Sequence, residues 1–305
     1  MHPSIAVVTL RLLTTMLLAG GLLSACSRQP ALKADPVYGR GGQIEWLDVS
    51  EGRLKAELYA TTPLSAHPIL VVFLHGDLPN PTPSYQYAFA QAITQGIDSP
   101  AIPERARAQL AALPQVQDVV AAGFLRPGYT DNQGDRSDGD MGNAAGDNYT
   151  PEVIDAIALA VTSLKTKYAP RRIVLVGHSG GAAIAAGVLG RRPEVANAAL
   201  LIACGCDPDA GRARMRLMRP HPMWKGATRS LQPIDLAASV QKDIVVRMIS
   251  GTNDDVALPE YSTRYATALQ GQGVDARVTL VPGAGHNIVF SPAVFAELID
   301  LLHGM

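Results

Sequence analysis

The chain has 305 residues, a formal net charge of -1, and 47% hydrophobic against 17% charged residues. That is enough apolar material for a large core and argues against extended disorder. A net charge near zero supplies no electrostatic footprint for nucleic acid, and the length allows one or two domains.

The first residues read as a targeting segment, not as part of the fold. Arg11 is followed by fourteen uncharged residues, 12–25. That is short for a membrane span but suits the apolar core of an export signal. The stretch ends Leu23-Ser24-Ala25-Cys26, which resembles the bacterial lipobox. The resemblance implies that residues 1–25 are a lipoprotein signal peptide cut before Cys26, which then carries a lipid anchor in the cell envelope. Ser27 after the cysteine implies the outer membrane, facing the periplasm. A plain secretory signal cut after Ala25 is the alternative. Residues 26–43, with proline, glycine and polar side chains, read as a tether. Export would place Cys204 and Cys206 in an oxidising compartment. A bridge between cysteines two apart is possible but close to the upper limit of its span.

The domain proper is expected over 44–305. Runs at 44–49 and 54–59 flank Ser50-Glu51-Gly52-Arg53, a hairpin pattern. Residues 68–74 form the first wholly apolar run, a central strand, with His75-Gly76-Asp77 directly after it. Helices are predicted at 85–95 and at 103–113, where Pro103 suits a first turn. A strand at 119–125 ends in Arg126-Pro127-Gly128-Tyr129. The following loop, 131–147, holds five aspartates among glycines. The spacing does not fit the EF-hand and the closing glutamate is missing. A mobile acidic loop near the mouth of a site is expected there, with calcium binding as the other reading. Thr150 can cap a helix begun by Pro151, in which Val153, Ile154, Ile157, Val161 and Leu164 make one apolar stripe.

Strand–helix alternation leads to the most informative stretch. Apolar residues 173–176 run into Gly177-His178-Ser179-Gly180-Gly181, followed by the small-residue run 182–189. This reads as a buried parallel strand, a tight turn and a helix. Glycine is needed at 177 and 181 because strand and helix close on each other there. Ser179 would stand at the tip with a helix N-terminus behind it, and the Gly180 amide would point where a negative oxygen can form. Further strands are expected at 198–203, 244–249 and 278–281, and a closing helix at 293–302 after Ser291-Pro292. Residues 208–230 interrupt the alternation with Arg212, Arg214, Arg216, Arg219, Lys225 and Arg229. They read as a solvated basic face, or as a rim that meets acidic substrates or anionic lipid.

The G-x-S-x-G turn between strand and helix resembles the nucleophile elbow of the α/β-hydrolase family. The family resemblance implies an α/β fold with a mostly parallel sheet flanked by helices and a short lid, about 208–230, after the sixth strand. It implies Ser179 as nucleophile and an oxyanion hole made by the Gly180 amide with that of Asp77 or Leu78. The Asp77 side chain should then turn away, and His75 should pack under its loop. Arg126 to Tyr129 resembles the R-G-x-G loop of the family. Ser250 to Asp255 resembles the G-T-x-D-D stretch of prolyl-oligopeptidase-like hydrolases, which makes Asp254 the triad acid, with Asp255 and Asp207 as rivals. Pro282 to Asn287 resembles the histidine loop, which makes His286 the base. His178, His221 and His303 are expected to be structural.

A serine hydroxyl is a weak nucleophile until an oriented base takes its proton. Ser179, Asp254 and His286 together therefore imply a serine hydrolase acting on small-molecule esters through an acyl-enzyme, with no cofactor. No C-x-x-C, H-E-x-x-H or P-loop pattern occurs, so neither a zinc nor a nucleotide motif is expected. The alternatives are a serine peptidase of the prolyl-oligopeptidase type, which would lack a preceding propeller, and a non-catalytic envelope binder on a hydrolase scaffold.

Overall fold

The computed structural model describes residues 42–77, 85–96, 104–143, 146–218 and 220–304. The export signal, Cys26, most of the tether and Leu78 lie outside the described residues.

Strands β1 (Gln43–Val49) and β2 (Gly52–Ala60) form the expected hairpin, paired antiparallel with Val49 opposite Gly52. Strand β3 (Ile69–Leu74) lies at the sheet centre and is wholly buried. Its side chains alternate between the two faces. Leu70, Val72 and Leu74 enter one apolar core, and Ile69, Val71 and Phe73 the other. A strand covered on both faces must be apolar throughout, which is why 68–74 reads as an unbroken run. Strands β4 (Val119–Phe124), β5 (Arg172–His178), β6 (Ala198–Ile202), β7 (Val245–Gly251) and β8 (Asp275–Val281) complete an eight-stranded sheet of order β1-β2-β4-β3-β5-β6-β7-β8. The β1–β2 and β2–β4 pairs are antiparallel, and every other pair is parallel.

Helices cover both faces. Helices α3 (Pro151–Tyr168), α4 (Gly180–Arg191) and α7 (Pro259–Gly271) pack over one core. Helices α1 (Tyr85–Gln95), α2 (Glu104–Leu110) and α8 (Pro292–His303) pack over the other. The capping chemistry is as expected: Val153 N–H donates to Thr150 Oγ1 and Val294 N–H to Ser291 Oγ. Helix α5 (Pro208–Met218) occupies the segment expected as a lid and buries only Pro208 and Arg212. Three helices go beyond the expected set: α5, the short α6 (Pro233–Leu236) and α7. Pro259 in the first turn and buried Tyr261, Tyr265 and Leu269 at i, i+4 and i+8 are the signal for α7.

The acidic loop is tied to the domain through its first half, where Asp131 is buried while Asp138 and Asp140 stay exposed. The Lys55 ammonium of β2 donates to Asp131 at 2.6 Å and to Asp135 at 2.7 Å, and Asp138 accepts the Arg53 amide. Ser137 Oγ donates to the Leu125 carbonyl and accepts the Lys55 amide. A fully buried protein cation therefore stands where the calcium reading would put an ion. Burial alone would favour neutral lysine, but the surrounding carboxylates outweigh it and raise its pKa.

Candidate active site

All parallel strands end at one edge of the sheet, where ligands of open α/β sheets bind. Ser179 follows β5 there with φ 55° and ψ -118°. This backbone is strained by about 1–3 kcal/mol for a non-glycine residue. The surroundings hold it: the Ser179 amide still donates to Ile202 of β6 at 2.9 Å, and the Ser179 carbonyl accepts from Ala182 and Ala183. A Cβ at 177 would meet the Gly181 carbonyl at 2.4 Å, and one at 181 the Leu74 carbonyl at 2.2 Å. The close approach expected from the sequence is thus the reason for both glycines.

Ser179 Oγ lies 3.0 Å from His286 Nε2. His286 Nδ1 lies 2.9 Å and 3.1 Å from the two oxygens of Asp254. The Asp254 side chain is fully buried and the imidazole is partly exposed. Asp254 Oδ1 also accepts the amides of Val256 and Ala257, both at 2.9 Å. These bonds fix the carboxylate toward Nδ1, which leaves Nε2 to accept the serine proton. Asp255 is exposed. Asp207 caps α5 through the Ala210 amide and pairs with Arg264 at 2.7 Å. Of the three aspartates weighed from the sequence, only Asp254 meets His286.

The other wall of the site is built from side chains. Gly180 carries the first amide of α4, which has no intrahelical partner. Asp77, after β3, does not turn away: a Cβ at 180 would lie 2.2 Å from Asp77 Oδ1. Its charge is matched where it stands. Oδ1 accepts from Arg126 Nη1 at 2.8 Å, and Oδ2 accepts from Tyr149 Oη at 2.7 Å and the Gly146 amide at 3.0 Å. Burial opposes ionisation of this carboxyl, but Arg126 and these donors outweigh it and hold its pKa below the usual range. His75 packs underneath. Its Nδ1 faces the Gly76 carbonyl at 2.8 Å, and its Nε2 accepts the Arg126 amide at 3.1 Å. Burial and the nearby guanidinium push its pKa down to about 3, so the ring is neutral.

His178 links the two walls. Its Nδ1 accepts from Tyr85 Oη at 3.0 Å, and its Nε2 donates to the His286 carbonyl at 3.2 Å. Tyr85 Oη in turn accepts the Gly76 amide. Burial, and then the neighbouring His286, lower the His178 pKa to about 4. His221 accepts the Met223 amide in the lid segment, and His303 is exposed at the end of α8. Cys204 and Cys206, after β6, form the bridge, with Cα atoms 5.1 Å apart.

The model of the prolyl oligopeptidase family (Peptidase_S9) matches residues 130–302, more than half of the chain. The chain belongs to the prolyl oligopeptidase family. No curated protein matches the sequence. Among solved structures, Est1E from Butyrivibrio proteoclasticus with bound ferulic acid is similar at a TM-score of 0.59 and 14% identity, over 85% of this chain and 97% of that one. The Pyrococcus horikoshii acylaminoacyl peptidase is similar at 0.58 and 13% identity, over 86% of this chain and 40% of that one. The Pyrococcus furiosus esterase PF2001 is similar at 0.58 and 15% identity, over 89% and 92%. Likeness at such low identity speaks for the shared α/β-hydrolase fold. This member of the prolyl oligopeptidase family is accordingly a serine hydrolase. Among its described residues no group of histidines, cysteines and carboxylates could hold a metal ion.

Proposed function

We propose that the protein hydrolyses carboxylic esters, with Ser179 as nucleophile, His286 as base and Asp254 as the orienting acid. The observation that carries this is the unbroken path from Ser179 Oγ through His286 to a buried, doubly amide-bonded Asp254. His286 takes the serine proton as Oγ attacks the ester carbonyl, and Asp254 stabilises the imidazolium. The Gly180 amide, with that of Asp77 or Leu78, takes the developing oxyanion. The alkoxide leaves with the proton from His286, and water repeats the cycle on the acyl-enzyme.

Esters are favoured over free peptides by the state of Asp77. It is the carboxylate seated against the elbow, and Arg126, Tyr149 and the Gly146 amide already engage it. It is not available to grip the ammonium of a peptide N-terminus. Peptide bond cleavage is the second reading, favoured by the family match itself. Parallel assays on short-chain nitrophenyl esters and aminoacyl amides decide between them. Ester turnover that vanishes in Ser179→Ala, with little amide turnover, supports the proposal. Full ester turnover in purified Ser179→Ala would sink it, and amide turnover exceeding ester turnover would favour the peptidase.

The proposed setting is the bacterial cell envelope, with the chain held by lipid at Cys26. Leu23 to Cys26 is the support. Incorporation of labelled palmitate that is lost in Cys26→Ser is the expected result, and equal labelling of the variant contradicts it.

A further inference from the structure

Two features of the 208–230 segment are absorbed neither by the fold nor by the proposed chemistry. The first is charge. Over 208–230 the sequence places six of the 26 basic side chains and one of the 27 acidic ones, Asp209 in the first turn of α5. The second is exposure. Leu217 is 83% exposed and Met218 62%, the two most exposed large apolar side chains among the described residues, and Met223 is 41% exposed. Scattered surface leucines need no explanation, but these three belong to one small structure. Arg212 lies buried under α5, donates to the Met223 carbonyl at 2.9 Å and stacks on Trp224, while Arg216 donates to the Trp224 carbonyl. The turn at Pro222–Trp224 is therefore folded back on α5. The apolar tips are held out on a braced support.

We infer that this face docks on an anionic phospholipid surface. Leu217, Met218 and Met223 enter the headgroup region, and Arg214, Arg216 and Lys225 meet the lipid phosphates. Apolar side chains set among an excess of cations are the chemistry that binds such a surface. Each cation near an anionic bilayer strengthens binding roughly fivefold, so a cluster acts with few apolar contacts. Docking would also orient the catalytic edge. Arg214 Nη2 donates to the carbonyl of Asp255, the residue after the proposed triad acid, so α5 sits beside the loop that carries Asp254. The inference does not depend on the ester reading, because binding is measured without turnover.

Hydrogen exchange of the full chain tests it, since it reads the segment itself whatever the N-terminus does. The protein is compared alone, with phosphatidylcholine vesicles, and with vesicles one-third phosphatidylglycerol. Backbone amides of 209–225 are expected to slow by at least threefold with the anionic vesicles only. The Leu217→Glu/Met218→Glu variant is expected to lose that slowing, and Arg216→Glu/Lys225→Glu to lose most of it. All variants should keep turnover of a soluble ester, which shows that they are folded. Equal exchange with both vesicles overturns the inference, as does slowing that survives both variants. Slowing that rises with protein concentration without vesicles would assign the face to a second copy of the chain and also overturn it.

Discussion

The two walls around Ser179 are built by different means. The proposed acid–base wall is made of strand ends. Ser179 follows β5, Asp254 follows β7 and His286 follows β8, and the sheet itself brings them to one edge. The other wall, proposed to hold the oxyanion, is made of long-range side-chain contacts. Arg126 reaches Asp77 across 49 positions, and Tyr149 reaches the same carboxylate across 72. The first wall is placed by backbone topology. The second is held by one buried ion pair and its donors. Damage to the first should therefore remove chemistry and spare the fold, and damage to the second should cost both.

The largest expected effect lies in the first wall. Asp254→Asn should lower kcat by about 10⁴-fold, because the imidazole loses its orienting charge and correct tautomer. The urea midpoint should stay close to that of the parent, and a variant within tenfold of parental kcat would break the comparison. Next comes Asp77→Asn. A misplaced oxyanion amide costs on the order of 10²-fold in kcat with little change in KM, and stability should fall as well. Arg126→Met should cost roughly 3–5 kcal/mol of stability, since it strands a buried carboxylate. A neutral outcome in urea would show that the ion pair does not hold this wall. Tyr149→Phe, which removes one of three donors to Asp77, should lower kcat less than tenfold.

The walls also share a pH signature through His75 and His178. Both pKa values are depressed in the fold, to about 3 and about 4. The unfolded chain therefore binds more protons between these values and about 6.5. Their stabilising contribution is complete above about pH 6.5 and is lost as the pH falls toward the folded values. Each should cost about 2 kcal/mol between pH 7 and pH 5. Urea midpoints across that range should show the loss, and His178→Gln should flatten it by about half.

The same contrast explains what could be read from the sequence. Ser179, Asp254 and His286 each stand just beyond an apolar strand, next to glycines that shape the loop, so residue order alone points to one sheet edge. Asp77 looked misplaced because its partners are far along the chain. A carboxylate beside the proposed oxyanion site makes sense only once the Arg126 guanidinium is seen against it. The acidic loop misleads for the same reason. Nothing local to Asp131 and Asp135 shows that Lys55, 76 and 80 positions away, stands between them. Local pattern reports strands, caps and tight turns, because those depend on neighbours. It is silent on charge pairs closed by the fold, and the oxyanion wall consists of such pairs.

The most direct measurement is covalent capture by a fluorophosphonate, followed by mass spectrometry of the digested protein. One adduct is expected, on Ser179. It should be absent in Ser179→Ala and form far more slowly in His286→Ala. A folded parent protein that stays unmodified, or one that carries its adduct on another residue, would contradict the account.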